Sequence, residues 1–132
     1  MLTFFNMGKI LAEVELIGTR KNKKIIALFD SGADGNYIRR KLWDGDSIDE
    51  IGFHMIREKW IVELADGNEV KNVRDGVSFK AVMFRNRRKT NPVFIVMDFP
   101  EDMILGWEFM QEMGLFLDFT TDNIFWSAPG IR

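Results

Sequence analysis

The sequence predicts a mainly β fold, a small closed barrel or sandwich with one short helix near the C-terminus. The apolar runs are short and are separated by Gly, Asn and Asp, which favours strands over long helices. The helix is expected from Trp107 to Met113, where apolar residues recur at helical spacing until Gly114. With 132 residues, the chain fits a single domain over 1–132 that can bury a core without disulfides or metals.

Each strand is assigned from its apolar pattern and from the turn residues that flank it. Residues 10–17 alternate loosely, with Val14 and Leu16 on one side and Glu13 and Glu15 on the other. A polar hairpin loop is expected over 18–24, and 37–43 fits either a strand or a turn of helix. Residues 84–91 are expected to form a basic connection. Further strands are predicted over residues 25–29, 60–64, 77–84, 92–97, 115–119 and 123–126.

Composition excludes several classes of function. Cysteine is absent, so thiolate catalysis and cysteine-ligated metals are impossible, and His54 is the one histidine. The net charge is −2, from 18 Lys and Arg against 20 Asp and Glu, which predicts no general attraction to nucleic acid or to anionic membranes. The N-terminal residues lack the charge order of a signal peptide, and no apolar stretch approaches the ~18 residues of a membrane span. We therefore expect a cytoplasmic protein.

The segment I-I-A-L-F-D-S-G-A, residues 25–33, is the most informative for chemistry. An apolar strand leads directly into a carboxylate, Asp30, and then into Ser31, Gly32 and Ala33. Asp-Ser-Gly is also common in ordinary tight turns, so the segment alone leaves a structural interpretation open. In the functional interpretation, apolar surroundings make the charge of Asp30 costly, Ser31 holds the loop and Gly32 permits a close backbone approach.

A second motif lies far downstream, where Ile104 and Leu105 precede Gly106 at the start of the predicted helix. Together, D-S-G-A and the later I-L-G followed by a helix resemble the retropepsin-like aspartic proteases. Roughly residues 10–119 follow the order of elements in that family. The resemblance implies a barrel-like subunit that contributes one catalytic aspartate, Asp30. A chain with a single D-S-G motif then needs a second subunit, so the active enzyme is expected to be a homodimer.

The resemblance also implies a mechanism. Two Asp30 carboxyls at a two-fold axis share a proton, because two adjacent carboxylates cannot both ionise cheaply. The ionised carboxylate takes a proton from water as the water attacks a peptide carbonyl, and the protonated one polarises that carbonyl. The implied activity is an aspartic endopeptidase that hydrolyses extended polypeptide. It requires no cofactor and no metal.

Further site residues follow from the resemblance alone. It implies that Ser31 braces the opposite subunit and that Gly32 and Asp34 contact the substrate backbone. A hairpin flap would carry Ala65, Asp66 and Gly67 at its tip, and Ile104 would face the substrate. The chain departs from the retroviral pattern because Trp107 follows I-L-G where an arginine is common, and because the predicted flap has few glycines.

Other interpretations remain open at this point. The chain could be a dimeric peptide-binding or assembly module of the same fold that does not cleave. A third possibility is a nucleic-acid-associated β domain that uses the basic cluster Arg85, Arg87, Arg88 and Lys89, although a solvated turn explains this cluster more simply. His54 is expected to be structural, and the acids around the second motif lack the spacing of a known cation loop.

Overall fold

The computed structural model describes residues 9–63 and 69–126, with side chains described outside 58–74. Within these residues, the chain forms eleven strands and two short helices. The strands are β1 (Lys9–Ile17), β2 (Asn22–Asp30), β3 (Tyr37–Ile38), β4 (His54–Glu63), β5 (Glu69–Ser78), β6 (Ala81–Phe84), β7 (Arg87–Thr90), β8 (Val93–Val96), β9 (Met103–Leu105), β10 (Leu115–Asp118) and β11 (Asn123–Trp126). The helices are α1 (Ile48–Ile51) and α2 (Trp107–Met113).

The mainly β fold with a short helix near the C-terminus is confirmed. Nine strands form one curled sheet in the order β4-β5-β8-β3-β9-β2-β1-β6-β7, and β10 pairs with β11 in a separate hairpin. The helix α2 has the bounds that the sequence predicts and ends at Gly114, which adopts the left-handed conformation of a helix C-cap. Neither described helix is long and apolar enough to cross a membrane.

The hairpin of β1 and β2 delivers the D-S-G-A segment to its position. The two strands pair antiparallel from Ile17 and Asn22 to Lys9 and Asp30. Since side chains alternate along a strand, Ile25, Ala27 and Phe29 enter the core, whereas Leu28 and Asp30 share the opposite face. The sequence-predicted faces of β1 are confirmed, because Val14 and Leu16 are buried and Glu13 is exposed.

The larger apolar core lies on one side of the main sheet and beneath α2. Phe29 packs against Phe84 and Phe109, with ring centroids 5.0 and 6.2 Å apart. Phe109 enters this core from α2 together with Met110 and Met113. Aromatic rings supply large buried area for their number, so this contact fixes α2 against the strand that ends at Asp30.

Four sequence predictions are corrected by the structure. Strand β2 begins at Asn22, so the predicted loop over 18–24 is shorter than expected. The predicted strand over 77–84 is split, because β5 pairs with β8 up to Ser78, whereas β6 pairs with β1 from Ala81. The basic connection over 84–91 contains the strand β7, which pairs with β6. Residues 37–43 keep only two residues of strand in β3, and α1 adds a second short helix further on.

Candidate active site

Asp30 ends β2 and is the one charged residue in the buried set of the described chain, with 0% of its surface exposed. Its neighbours along the strand are apolar, and Leu28 lies on the same face. Burial of a carboxyl group without compensating contacts is unfavourable, so such a residue is rare as a purely structural element. This burial agrees with the functional interpretation of the D-S-G-A segment.

The turn after β2 binds one oxygen of Asp30 and leaves the other without a partner. The backbone N–H of Gly32 donates to Oδ1 at 2.8 Å, and the N–H of Ala33 donates to the main-chain carbonyl of Asp30 at 3.1 Å. The Oδ2 atom is buried and has no hydrogen-bond partner among the residues that the structure describes. A buried polar atom without a partner in its own chain is unusual in proteins, and a catalytic role is one of the few explanations for it.

The environment raises the pKa of Asp30 above its ordinary value. Burial is the main cause, because it disfavours the charged carboxylate. The Gly32 hydrogen bond and the charge of Lys9, which lies opposite Asp30 in the β1–β2 register, oppose this rise, whereas the negative charge of Glu101 adds to it. The carboxyl group therefore holds its proton more tightly than an exposed aspartate, as an acid–base group working above acidic pH would need.

The second motif lies directly beside the first. Strand β9 pairs parallel to β2, with Ile104 opposite Leu28 and Leu105 opposite Phe29. A Cβ atom on Gly106 would lie 2.2 Å from the carbonyl oxygen of Gly35 and 2.4 Å from that of Ala33. A side chain at position 106 would collide with the loop that follows Asp30, so the glycine in I-L-G is required by this close approach. The two motifs, which are far apart in the sequence, are therefore direct neighbours in the folded chain.

Asn36 links the loop after Asp30 to β8 and to the start of α2, a role that the sequence analysis missed. Its Oδ1 accepts the N–H of Gly106 at 3.1 Å, and its Nδ2 donates to the carbonyl of Val93 at 3.2 Å. Its own carbonyl accepts the N–H of Ile95 at 2.9 Å. The sequence signal was weak, because an asparagine three residues after Gly-Ala is also typical of a turn. The structure shows that it ties the Asp30 loop to β8 and to the start of α2.

A second, smaller apolar cluster lines the sheet on the Asp30 side. Its buried members are Leu28, Ala33, Tyr37, Ile95, Met97 and Ile104, and Phe99 packs against them. Burial, together with the nearby charge of Asp34, raises the pKa of Tyr37 to about 12, so its hydroxyl stays protonated. These buried side chains form an apolar layer beside Asp30, which keeps its carboxyl group in weakly polar surroundings.

The remaining sequence-predicted residues occupy different environments. Ser31 and Asp34 are exposed, and Gly32 is half-buried. Ile104 is fully buried within the smaller apolar cluster, so its contact with a substrate stays a prediction. Ala65, Asp66 and Gly67 lie outside the described residues, although the strands on either side, β4 and β5, are antiparallel neighbours. Trp107 is 53% exposed, and its N–H donates to the carbonyl of Ala33 at 2.7 Å.

The basic cluster of the β6–β7 hairpin is largely engaged in contacts within the chain. Arg85 donates to the carbonyl of Ile124 at 2.7 Å, and the guanidinium of Arg87 lies 4.0 Å from the centre of the Trp126 ring. Lys89 forms an ion pair with Glu112 of α2. These side chains hold the β10–β11 hairpin and the helix, which weakens the nucleic-acid interpretation. His54 is exposed at the start of β4.

Comparisons with known proteins give similarities of structure only. No protein-family model and no curated protein matches this sequence. One similar solved structure is the retroviral protease-like domain of Ddi1 from Leishmania major, at 13% identity, covering 93% of this chain and 88% of that chain, with a TM-score of 0.49. Another is a retropepsin-like aspartic protease from Rickettsia conorii, at 14% identity, covering 87% of this chain and 91% of that chain, with a TM-score of 0.48.

Proposed function

We propose that this chain is an aspartic endopeptidase that acts as a homodimer on extended polypeptide, with one Asp30 from each subunit. The observation that carries the proposal is the buried Oδ2 of Asp30, which has no hydrogen-bond partner in the described residues. A second carboxyl group, or a water held between two, would satisfy this atom. We keep a cytoplasmic location in the proposal because a chain without cysteine gains nothing from an oxidising compartment.

The chemistry follows from the raised proton affinity of Asp30. When two such carboxyls meet, they share one proton and titrate as a pair. The ionised carboxylate removes a proton from water, whose oxygen bonds to the peptide carbonyl carbon, while the protonated carboxyl donates to the carbonyl oxygen. The carbon–nitrogen bond then breaks: the amine leaves with the proton taken from water, and a hydroxyl of the tetrahedral intermediate returns its proton to the pair as the carbonyl re-forms. The bound Oδ1 is fixed by Gly32, which leaves Oδ2 for the water and substrate.

The surroundings of Asp30 also support a peptide substrate. Ser31, next to the buried carboxyl, is exposed and available to a second subunit. The apolar cluster that contains Leu28 lies on the Asp30 face of the sheet, so apolar side chains near the cleaved bond are favoured. An extended peptide would lie across this face and hydrogen-bond through its backbone, as in strand addition.

The second candidate function is a dimeric module of the same fold that binds peptides without cleaving them. It is favoured by the exposure of large apolar side chains, such as Phe116 and Phe125, whose ring centroids lie 5.5 Å apart in a stacked arrangement on the β10–β11 hairpin. Such a module has no need for a carboxyl with raised proton affinity, which is why we rank it second.

The test is cleavage of an unfolded, fluorescently quenched protein across acid to neutral pH, with Asp30→Asn as the matched variant. Asparagine keeps the size of the side chain and can accept the Gly32 hydrogen bond, but it cannot accept a proton from water. We expect activity to fall by at least ~10²–10⁴-fold, the contribution of a lost general acid–base group. Sedimentation of both proteins shows whether the dimer survives the change.

Peptide binding separates the two candidate functions. The Asp30→Asn variant is expected to bind the same peptide within about twofold of the original chain, measured by fluorescence anisotropy. Cleavage that persists in the variant would exclude Asp30 as the catalytic group. Binding without cleavage at any pH, in a protein shown to be dimeric, would favour the non-cleaving module.

A further inference from the structure

Arg39 and Trp43 form hydrogen bonds to the segment 98–102, which precedes β9. Arg39 donates from Nη1 to the carbonyl of Phe99 at 2.6 Å, and the indole Nε1–H of Trp43 donates to the carbonyl of Pro100 at 2.7 Å. The guanidinium of Arg39 lies 4.3 Å from the centre of the Trp43 ring, a cation–π distance. The two side chains therefore support each other while each binds a separate carbonyl.

Backbone N–H groups of the same two residues also donate to this segment. The N–H of Trp43 donates to a carboxylate oxygen of Asp102 at 2.9 Å, and the N–H of Arg39 donates to the Asp102 carbonyl at 3.0 Å. The hydrogen bonds thus reach three residues of the segment from one loop. A short segment held at several points loses the freedom to adopt other conformations, which is the condition for a pre-organised site.

The loop that carries Trp43 is itself anchored on its other side. Asp46 accepts from Lys23 at 2.6 Å, and the same lysine contacts Asp44. Lys23 belongs to β2, the strand that ends at Asp30. The strand, the loop and the 98–102 segment are consequently connected through a continuous set of contacts.

The held segment borders the candidate active site. The ring of Phe99 packs edge-on against Tyr37, 5.4 Å between centroids, on the apolar cluster that shares the Asp30 face. Residue Glu101 is half-buried, and its charge acts on Asp30. The segment then enters β9, which pairs with β2 up to Phe29. A displacement of 98–102 would therefore change the surface that a peptide meets beside Asp30.

Burial does not explain the tryptophan. Trp43 is 68% exposed, so it gains little from removal of its ring from water. We propose that Trp43 is a positioning residue that, together with Arg39, holds the segment 98–102 against the peptide site and so sets how tightly peptides bind. This inference rests on the proposed function only in assuming that peptides bind beside Asp30. It does not depend on cleavage, because peptide binding alone tests it.

The experiment compares Trp43→Phe and Trp43→Ala with a matched control, Trp126→Phe. Phenylalanine keeps a ring for Arg39 but removes the indole N–H, whereas alanine removes both. Trp126 is a suitable control because it also packs under an arginine, Arg87, but belongs to the separate β10–β11 hairpin and makes no hydrogen bond to the segment 98–102 in the described residues. We expect the peptide Kd and KM to rise about fivefold in Trp43→Phe and at least about twentyfold in Trp43→Ala. We expect kcat to change less than twofold.

Two readouts keep this inference distinct from the proposed function. Peptide Kd is measured in the Asp30→Asn background, where no cleavage is expected, and amide exchange is followed at Arg39 and Trp43, whose N–H groups donate to Asp102. Faster exchange there, a weaker Kd and an unchanged Trp126→Phe protein support the positioning role, even if the original chain never cleaves. Unchanged Kd and exchange in Trp43→Phe and Trp43→Ala overturn it, as does an equal loss of binding in Trp126→Phe. A chain that binds no peptide overturns both proposals.

Discussion

The backbone N–H of Trp107 donates a 2.7 Å hydrogen bond to the carbonyl oxygen of Ala33, which joins the loop after Asp30 to the first turn of α2. The two residues are far apart in the sequence: Ala33 ends the first motif, and Trp107 directly follows the second. Their bond lies beside the close approach of Gly106 to Gly35. The position of the candidate catalytic group therefore depends on backbone contacts between distant parts of the chain.

Gly106→Ala is expected to disrupt this junction. The new methyl group would overlap two carbonyl oxygens that belong to backbone, which cannot rotate away as a flexible side chain can. Overpacking of this kind typically costs about 1–3 kcal/mol in the free energy of unfolding, and we expect peptide cleavage to be lost with it. Denaturant unfolding and the cleavage assay measure the two effects.

The matched control for that change is Gly35→Ala, in the same loop. A Cβ atom there would meet nothing closer than the Tyr37 hydroxyl, at 3.6 Å, which is an ordinary contact. We expect its stability to stay within about 0.5 kcal/mol of the original chain, or to rise slightly because alanine restricts the unfolded state. Equal damage from both substitutions would show that the loop tolerates no side chain, and that the Gly106 contact is not special.

Glu101→Gln is expected to move the pH–activity profile to lower pH. The negative charge of Glu101 helps to raise the pKa of Asp30, so its removal makes ionisation of Asp30 easier. Lys9, whose charge acts in the opposite direction, is left in place. In the proposed dimer, the dependence of kcat/KM on pH would report the coupled pKa values of the two Asp30 carboxyls.

Glu108→Gln serves as the control, because it removes the same charge near the second motif but Glu108 is not among the groups that act on Asp30. We expect the profile of this variant to overlay that of the original chain. A profile that moves equally in both variants would indicate a general effect of net charge rather than a local effect of Glu101.

The ionisation of Asp30 is also expected to lower the free energy of unfolding as the pH rises. Its pKa is raised in the folded chain, so the folded state binds the proton more tightly than the unfolded state does. The stabilisation is fully present below the unfolded pKa, about 3.9, and is lost as the pH rises through the folded value. A tenfold difference in proton affinity between the two states is worth about 1.4 kcal/mol.

Asp30→Asn isolates this contribution. The pKa of Asp44 and that of Asp46 are lowered through hydrogen bonds from Lys23, and their stabilisation is lost in the opposite direction, as the pH falls. Unfolding free energies of both proteins, measured from pH 3 to 8 and subtracted, cancel those groups. We expect the variant to gain stability relative to the original chain as the pH rises. A difference that is constant with pH would mean that burial does not perturb Asp30.

The strand that ends at Asp30 and the bounds of α2 were predictable from the sequence, because each depends on a local pattern, whereas the close approach of Gly106 to the Asp30 loop appears only in the structure. The roles of Asn36 and Trp43 were not predictable, since they bind backbone carbonyls that only the tertiary fold brings near them. The same holds for the β6–β7 hairpin, where a run of basic residues resembled a solvated connection. Arg85 is held by the carbonyl of Ile124, 39 residues away, and Arg87 lies over the ring of Trp126 on β11.

Arg87→Gln and Arg88→Gln test the interpretation of that basic run. Arg87 lies over the Trp126 ring and donates to the Met113 carbonyl at 3.4 Å, whereas Arg88 is exposed. We expect Arg87→Gln to lower the free energy of unfolding by about 1 kcal/mol, the combined size of a cation–π contact and a weak hydrogen bond. Arg88→Gln removes the same charge and is expected to stay within about 0.5 kcal/mol. If the cluster instead bound nucleic acid, both substitutions would weaken a salt-dependent association to a similar degree while leaving stability unchanged. Denaturant unfolding and a binding titration at two salt concentrations distinguish these outcomes.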